Sequence, residues 1–284
     1  MPPQDRVGQL IGERFRVEAI VGRGAMADVY RALDLTTSAY VALKILRRQL
    51  EDKSAHHRFA REAEVQARLR HRNVAALLAT GATDRHEPYI AVELLRGKSL
   101  RGVLKTEGKV SPKRATSYAW QALQGLAAVH AAGVLHRDLK PANIMLEPSP
   151  GPIERVVLID FGFASVEGSA KLTQEGSVVG SLTYIAPERL RGEPVDARSD
   201  LYAIGIITYE LLAGKPPFHT PNDFDLVDLH LNADPAPLAP TDAEIPPALD
   251  AVITRALSKY QDDRYADALA MAAAFEEVSR LLPA

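Results

Sequence analysis

Cysteine is missing from all 284 residues. Its absence excludes disulfide stapling, thiol catalysis and Cys-ligated zinc, and it fits a reducing compartment. Aromatic residues are few, at 6% with a single tryptophan, Trp120, which reads as core packing. An excess of either charge is also missing, since 34 Lys plus Arg against 36 Asp plus Glu leave a formal net charge of −2. That balance argues against a nucleic-acid or anionic-membrane binder built on bulk positive charge. Long hydrophobic runs are absent. The longest, Leu201 to Tyr209, is closed by Glu210, far short of the ~20 apolar residues of a spanning helix. It reads as a helix buried in a core, with Tyr202 and Tyr209 on its inner side. The start, Met1-Pro2-Pro3-Gln4-Asp5-Arg6, has no apolar core of the signal-peptide kind. A cytoplasmic protein without a membrane span is expected. What remains, 46% apolar and 25% charged residues, is ordinary for a soluble globular chain and unlike a disordered one.

The first hundred residues read as strands. Phe15 to Val21 alternates like a half-buried strand and runs into the turn signal Gly22-Arg23-Gly24. Asp28 to Ala32 and Tyr40 to Leu46 continue an antiparallel meander, and Val74 to Ala79 and Tyr89 to Val92 add two short strands. Between them, Ser54 to Arg70 has a rough helical period. After Gly97 the pattern becomes helical. Ser111-Pro112 pairs an N-cap with proline at the first helical position, and Gly133 stops that helix. Further helices are expected at Ser199 to Ala213, Pro247 to Leu257 and Tyr265 to Leu282. The Pro-rich stretch Asp234 to Pro247 reads as a loop. The expected architecture is α+β: a small antiparallel β-rich lobe with one main helix, a connector near Glu93 to Gly97, and a larger, mostly helical lobe. A cleft between two lobes is a natural ligand site.

Four groups of residues carry chemistry. Gly22-Arg23-Gly24, between two strands, would let backbone N–H groups approach phosphate oxygens; alone it also fits a plain hairpin turn. Lys44, in the apolar run Val41-Ala42-Leu43-Lys44, needs a carboxylate partner. Glu62 is preferred, with Glu64 the alternative on a different helical face. The third group is His136-Arg137-Asp138-Leu139-Lys140-Pro141-Ala142-Asn143. Asp138 can accept a hydroxyl proton, Lys140 can neutralise a transferring phosphoryl group, and Asn143 can bind a metal ion through its amide oxygen. The fourth, Asp160-Phe161-Gly162, follows the apolar strand Val156 to Ile159 and sets Asp160 to bind Mg²⁺.

In this order, and with Ala186-Pro187-Glu188 following, the groups resemble the eukaryotic-like protein kinase family from about Phe15 to Leu282. Lys140 and Gly180-Ser181-Leu182-Thr183-Tyr184 resemble its Ser/Thr branch. Gly24-Ala25-Met26-Ala27-Asp28-Val29-Tyr30 and Asp196-Ala197-Arg198-Ser199-Asp200-Leu201-Tyr202 resemble its bacterial members. The resemblance implies the bilobal kinase fold, with residues 1–14 as an extension, a small lobe over 15–93, a hinge over 93–97 and a large lobe over 98–282. It implies ATP with Mg²⁺ (Mn²⁺ as an alternative) and transfer of phosphate to Ser or Thr of protein substrates. Nucleic acid is not an expected partner, whereas a second copy of the chain, paired through the small lobe, is suggested.

The family pattern also implies roles for single residues. Lys44, fixed by Glu62, would orient phosphates, and Asn143 and Asp160 would hold metal. Val21, Gly22, Gly24, Val29, Ala42 and Met145 would surround the nucleotide, with Val92 as gatekeeper and main-chain groups of Glu93 and Leu95 meeting the adenine. His136, Phe161 and Leu77 would stack as a spine held by Asp200, and Arg264 would pair with Glu188 as scaffold. Thr173 and Ser177 are candidate phosphosites, with a phosphate there pairing with Arg137, and Glu175 standing where relatives often carry a second threonine. Phe163 suggests Ser over Thr acceptors. Three departures stand out: Ala27 in place of a third glycine, Ser181 in place of threonine, and Gln66 where the spine usually has an apolar side chain. The competing readings are a pseudokinase and a small-molecule phosphotransferase. The intact Lys44, Asp138, Asn143 and Asp160 count against the first, and Ala186-Pro187-Glu188 with its preceding loop against the second. His56-His57 reads as an exposed helix start.

Overall fold

Alternation of apolar and polar residues builds the N-terminal sheet. In Phe15–Arg23 (β2) Phe15 and Val17 are buried while Arg16 is exposed, and in Ala39–Leu46 (β4) Val41, Leu43 and Ile45 are buried, as a period of two requires. The computed structural model describes residues 6–24, 27–47, 59–60, 63–64, 66–151, 153–160, 182–240, 242 and 244–283. They divide into two compact units, Met1–Arg96 and Gly97–Ala284. The break lies inside the stretch read as a connector.

In the first unit, Leu10–Ile11 (β1), β2, Ala27–Asp34 (β3), β4, Leu77–Ala82 (β5) and Pro88–Glu93 (β6) form an antiparallel sheet in the order β1-β2-β3-β4-β6-β5. One face packs Phe15, Val17, Tyr30, Ala32, Val41, Leu43, Ile45, Tyr89 and Ala91 into a core. The other face gathers Ala27, Leu46 and Ile90 with Phe59. Residues 59–60, 63–64 and 66–68 are helical, within the helix expected from Ser54 to Arg70. β1 lies within residues 1–14, the stretch read as an extension. Ile11 pairs with Phe15, and Arg14 grips the buried Asp34 through two hydrogen bonds of 2.9 and 2.7 Å. Two residues carry no readable period, so the strand left no pattern.

The second unit opens with Lys98–Ser99 (β7), Leu100–Glu107 (α1) and Pro112–Ala131 (α2), followed by Ile144–Glu147 (β8) and Arg155–Leu158 (β9). The three strands form a small sheet in the order β7-β8-β9. Gly97 leads into it so closely that a Cβ would lie 1.5 Å from the carbonyl oxygen of Leu146, which only glycine permits. Pro187–Arg191 (α3), Ala197–Ala213 (α4), Asp223–Asn232 (α5), Pro247–Ala256 (α6) and Ala268–Ser279 (α7) complete the unit. The run from Leu201 to Tyr209 is buried throughout, as the sequence predicts. Ser111 caps α2 by accepting from Arg114 N at 3.4 Å, with Pro112 at its start. α7 is shorter than Tyr265 to Leu282, because Asp267 caps it by accepting from Ala270 N at 2.8 Å. α1 and α5 have no counterpart in the sequence reading. α5 buries only Leu226 and His230 and leaves Phe224 86% exposed, so its apolar stripe is too thin to signal a helix.

Candidate active site

The loop before β8 converges on one carboxylate. Asp138 Oδ2 accepts from Lys140 Nζ at 2.8 Å and from Asn143 Nδ2 at 2.9 Å, and Asn143 Nδ2 also reaches the Asp138 carbonyl at 2.8 Å. A charge-assisted pair of this length holds the carboxylate's orientation. The amide nitrogen of Asn143 faces Asp138, so the amide oxygen is the donor it offers to a cation. Ile159 N donates to Asn143 O at 3.0 Å, continuing the β8–β9 register Ile144 to Leu158. Asn143 and Asp160 therefore stand at the same end of one hairpin. Asp160 is exposed and turns through a left-handed backbone, φ 52°, where the chain leaves the strand.

Asp200, at the start of α4, anchors this loop from inside. Its Oδ2 accepts from His136 N at 2.8 Å and contacts His130 Nε2 at 2.8 Å, while Oδ1 accepts from Arg137 N at 3.0 Å. Burial pushes this carboxyl's pKa up, but His130, His136 and the backbone donors outweigh it and hold the pKa below the ordinary carboxylate value. The fully buried His136 also has its pKa lowered, since burial favours neutral imidazole over the pull of Asp200 and Asp138. His136 Nε2 lies 3.2 Å from Ile159 O, which ties the loop back to the hairpin. The expected anchoring by Asp200 is thus present. Of the other two expected spine members, Leu77 is half-buried in β5 against the Ala27, Leu46, Phe59 and Ile90 cluster, and Phe161 lies outside the described residues.

Arg264 and Glu188 form the expected buried pair, with Nη1–Oε1 2.8 Å and Nη2–Oε2 2.7 Å. Ser199 Oγ donates to Glu188 Oε1 as well, Arg264 Nε donates to Ser258 O at 2.8 Å, and the guanidinium lies 4.9 Å from the Tyr202 ring centroid. Burial raises the pKa of Glu188, and Arg264 more than reverses that. Every donor direction of the guanidinium fork named here meets an acceptor, the condition under which such a pair is tolerated in a core.

In the first unit the sheet register collects the nucleotide candidates on one face. Val29 faces Lys44 and Ala42 faces Val92, with Gly22 opposite Val29. Residues opposite or two apart in antiparallel strands share a face, so Gly22, Val29, Ala42, Lys44 and Val92 lie together. Gly24 N closes the turn on Ala27 O at 2.9 Å. Val21 is exposed at 60%. Glu93 N donates to Ala76 O at 2.9 Å. Leu95 is half-buried, as is Met145 in β8 of the second unit. Gln66, the departure from the family pattern, is buried, and its Nε2 donates to Ala75 O at 3.1 Å. The amide thus has a polar partner where an apolar chain was expected.

Glu62, Ala25, Met26, His56, His57, Phe163, Thr173, Glu175, Ser177 and Ser181 lie outside the described residues, so the Lys44–Glu62 pair and the candidate phosphosites do too. Sequence reasoning missed His130, which touches Asp200. It also missed Arg189, whose Nη1 donates to Arg137 O at 2.7 Å. Neither falls in a motif, and each reaches its partner through the fold alone. It missed equally the cluster in which Glu210 accepts from Tyr184 Oη at 2.6 Å and from Arg101 Nη1 at 3.0 Å, with Arg101 also donating to Tyr184 Oη.

A sheet of this order, a helical unit, and a pinned loop carrying Asp138, Lys140 and Asn143 define a protein kinase domain. Residues 15–275 match the family described as "Protein kinase domain", and the chain belongs to that family. It is 38% identical over 281 residues to a probable serine/threonine-protein kinase PknB of Corynebacterium glutamicum, covering 95% of this chain and 43% of that protein. It is 40% identical over 283 residues to the serine/threonine-protein kinase pkn3 of Myxococcus xanthus, covering 96% and 51%. The chain thus spans about half or less of the curated relatives' length. Among solved structures, the Mycobacterium tuberculosis PknI kinase domain superposes with a TM-score of 0.72 at 27% identity, covering 95% of this chain and 98% of that one. Among the described residues no helix is long and apolar enough to cross a membrane.

Proposed function

We propose that the chain transfers the γ-phosphoryl group of ATP to Ser and Thr hydroxyls of bacterial proteins. The observation that carries this reading is the Asp138 carboxylate, held at 2.8 Å by Lys140 and 2.9 Å by Asn143 on a loop whose backbone is pinned by Asp200. Asp138 orients the acceptor hydroxyl and takes its proton as the oxygen bonds to phosphorus and ADP departs. Lys140 offsets charge on the transferring group, and Lys44 orients the phosphates with Glu62 as its partner. Positioning and electrostatics carry the catalysis.

Among the described residues no group of three or more His, Asp or Glu is placed to hold a metal by itself. Mg²⁺ usually needs only one or two carboxylates plus substrate phosphates. Asp160 and the Asn143 amide oxygen at one hairpin end therefore fit a cation that arrives with nucleotide, Mg²⁺ first and Mn²⁺ as the alternative. That ion supplies charge neutralisation across the phosphates. Gly22, Gly24, Val21, Val29, Ala42, Val92 and Met145 would enclose the nucleotide, and main-chain groups of Glu93 and Leu95 would read its base. The same reading includes autophosphorylation at Thr173 or Ser177, a preference for Ser acceptors through Phe163, a cytoplasmic setting and pairing of copies through the small lobe. Radiolabel transfer from ATP to a generic basic protein tests it, with Asp138→Asn in parallel. The variant should lose about 10²–10⁴-fold in kcat while still binding nucleotide. Equal rates for the two would overturn it.

A further inference from the structure

Arg137, immediately before the proposed base, is a non-glycine residue at φ 64°. Such a conformation persists only where the surroundings over-determine it. Two groups do so here. Asp200 Oδ1 takes the N–H of Arg137 at 3.0 Å, and Arg189 Nη1 donates to the carbonyl of Arg137 at 2.7 Å. That carbonyl belongs to the peptide that ends at Asp138, so its plane sets the direction from which the carboxylate projects.

Arg189 is itself rigidly based. Its N–H donates to Ala186 O at 3.0 Å, and its neighbour Glu188 is locked to Arg264. Arg137, Asp138, Arg189 and Asp200 line one cavity of about 20 Å³, room for about a single water. The loop has little space in which to relax if one strut is lost. The guanidinium also faces the charges of Asp200 and Asp138, and burial lowers its pKa from the ordinary arginine value.

We infer that Arg189 is a positioning residue for the catalytic base: by binding the Arg137 carbonyl it fixes the peptide plane of Asp138 and couples α3 to the catalytic loop. The inference rests on the reading of Asp138 given above. Its test compares Arg189→Met, which keeps the apolar stem and loses every donor, with Arg189→Lys, which keeps a charged donor. The readouts are kcat with a generic basic protein, KM for ATP, and the number of nucleotide-binding sites from calorimetric titration with MgADP. Arg189→Met should lower kcat per binding site by about 10–100-fold, with KM for ATP within about twofold, and Arg189→Lys should recover at least half of that loss on a logarithmic scale. If the Met variant does not fold, Arg189→Gln, a shorter neutral donor, replaces it in the same comparison. A kcat per site within about threefold of wild type in the donor-poor variant would overturn the inference, as would a Lys variant no better than it. Asp138→Asn, run alongside, separates the two failures. Full activity there defeats the base itself, whereas its inactivity beside fully active Arg189 variants defeats only the positioning role.

Discussion

Single residues in this chain carry charge into places where charge is costly, and their titration reports it. Lys259 donates to Leu229 O at 3.3 Å and His230 O at 3.0 Å, and its ammonium lies 4.3 Å from the Phe218 ring centroid. Burial, with Arg264 and Arg191 nearby, outweighs Asp234 and lowers its pKa to about 8. The folded protein thus releases this proton before the unfolded chain does. Between about pH 8 and the ordinary lysine value near 10.4 the unfolded state binds more protons, so this residue makes stability rise with pH. The slope is at most about 1.4 kcal/mol per pH unit, and less after solvent screening. Urea titrations from pH 7 to 10 should show that upward contribution in wild type and its loss in Lys259→Met. Parallel curves for the two proteins would contradict it.

At the scale of elements, Glu188 in α3 and Arg264, beyond α6 and 76 positions later, join distant segments by a pair with side-chain exposures of 1% and 0%. Arg264→Met would leave a buried carboxylate without its cation and should cost about 3–5 kcal/mol in chemical denaturation. Adding Glu188→Gln to that variant should return part of the loss. A double variant weaker by the sum of the two single losses would refute the coupling. The family resemblance implied this pair, and α2 and α4 were legible in the sequence because a cap, a proline and a continuous apolar run marked them. α5 was not legible, since one face of it hardly meets a core. β1 was not either, because two residues cannot show a period. The Arg189 contact escaped for a different reason: side chain to backbone bonds between remote segments leave no spacing to read.

For the molecule as a whole, each unit gathers its own group of candidate residues. Register in the first brings Gly22, Val29, Ala42, Lys44 and Val92 to one face. Loop anchoring in the second presents Asp138, Lys140 and Asn143 together. The order of motifs disclosed both groups before any geometry was known. What the order did not disclose is how the pieces are braced, as with His130 on Asp200 or Gln66 on Ala75. The β8–β9 hairpin has a practical corollary. Both proposed cation ligands, Asn143 and Asp160, sit at one end of it, while the chain reverses at the other, where the half-buried Ser149 lies between the exposed Pro148 and Pro150. The ladder between them works as a spacer, so that far bend is a splice point. A short Gly/Ser epitope inserted after Ser149 should leave kcat within about twofold, whereas one extra residue inside β8 should flip its alternation and silence the enzyme. An engineer wishing to hang a reporter on this domain would start there.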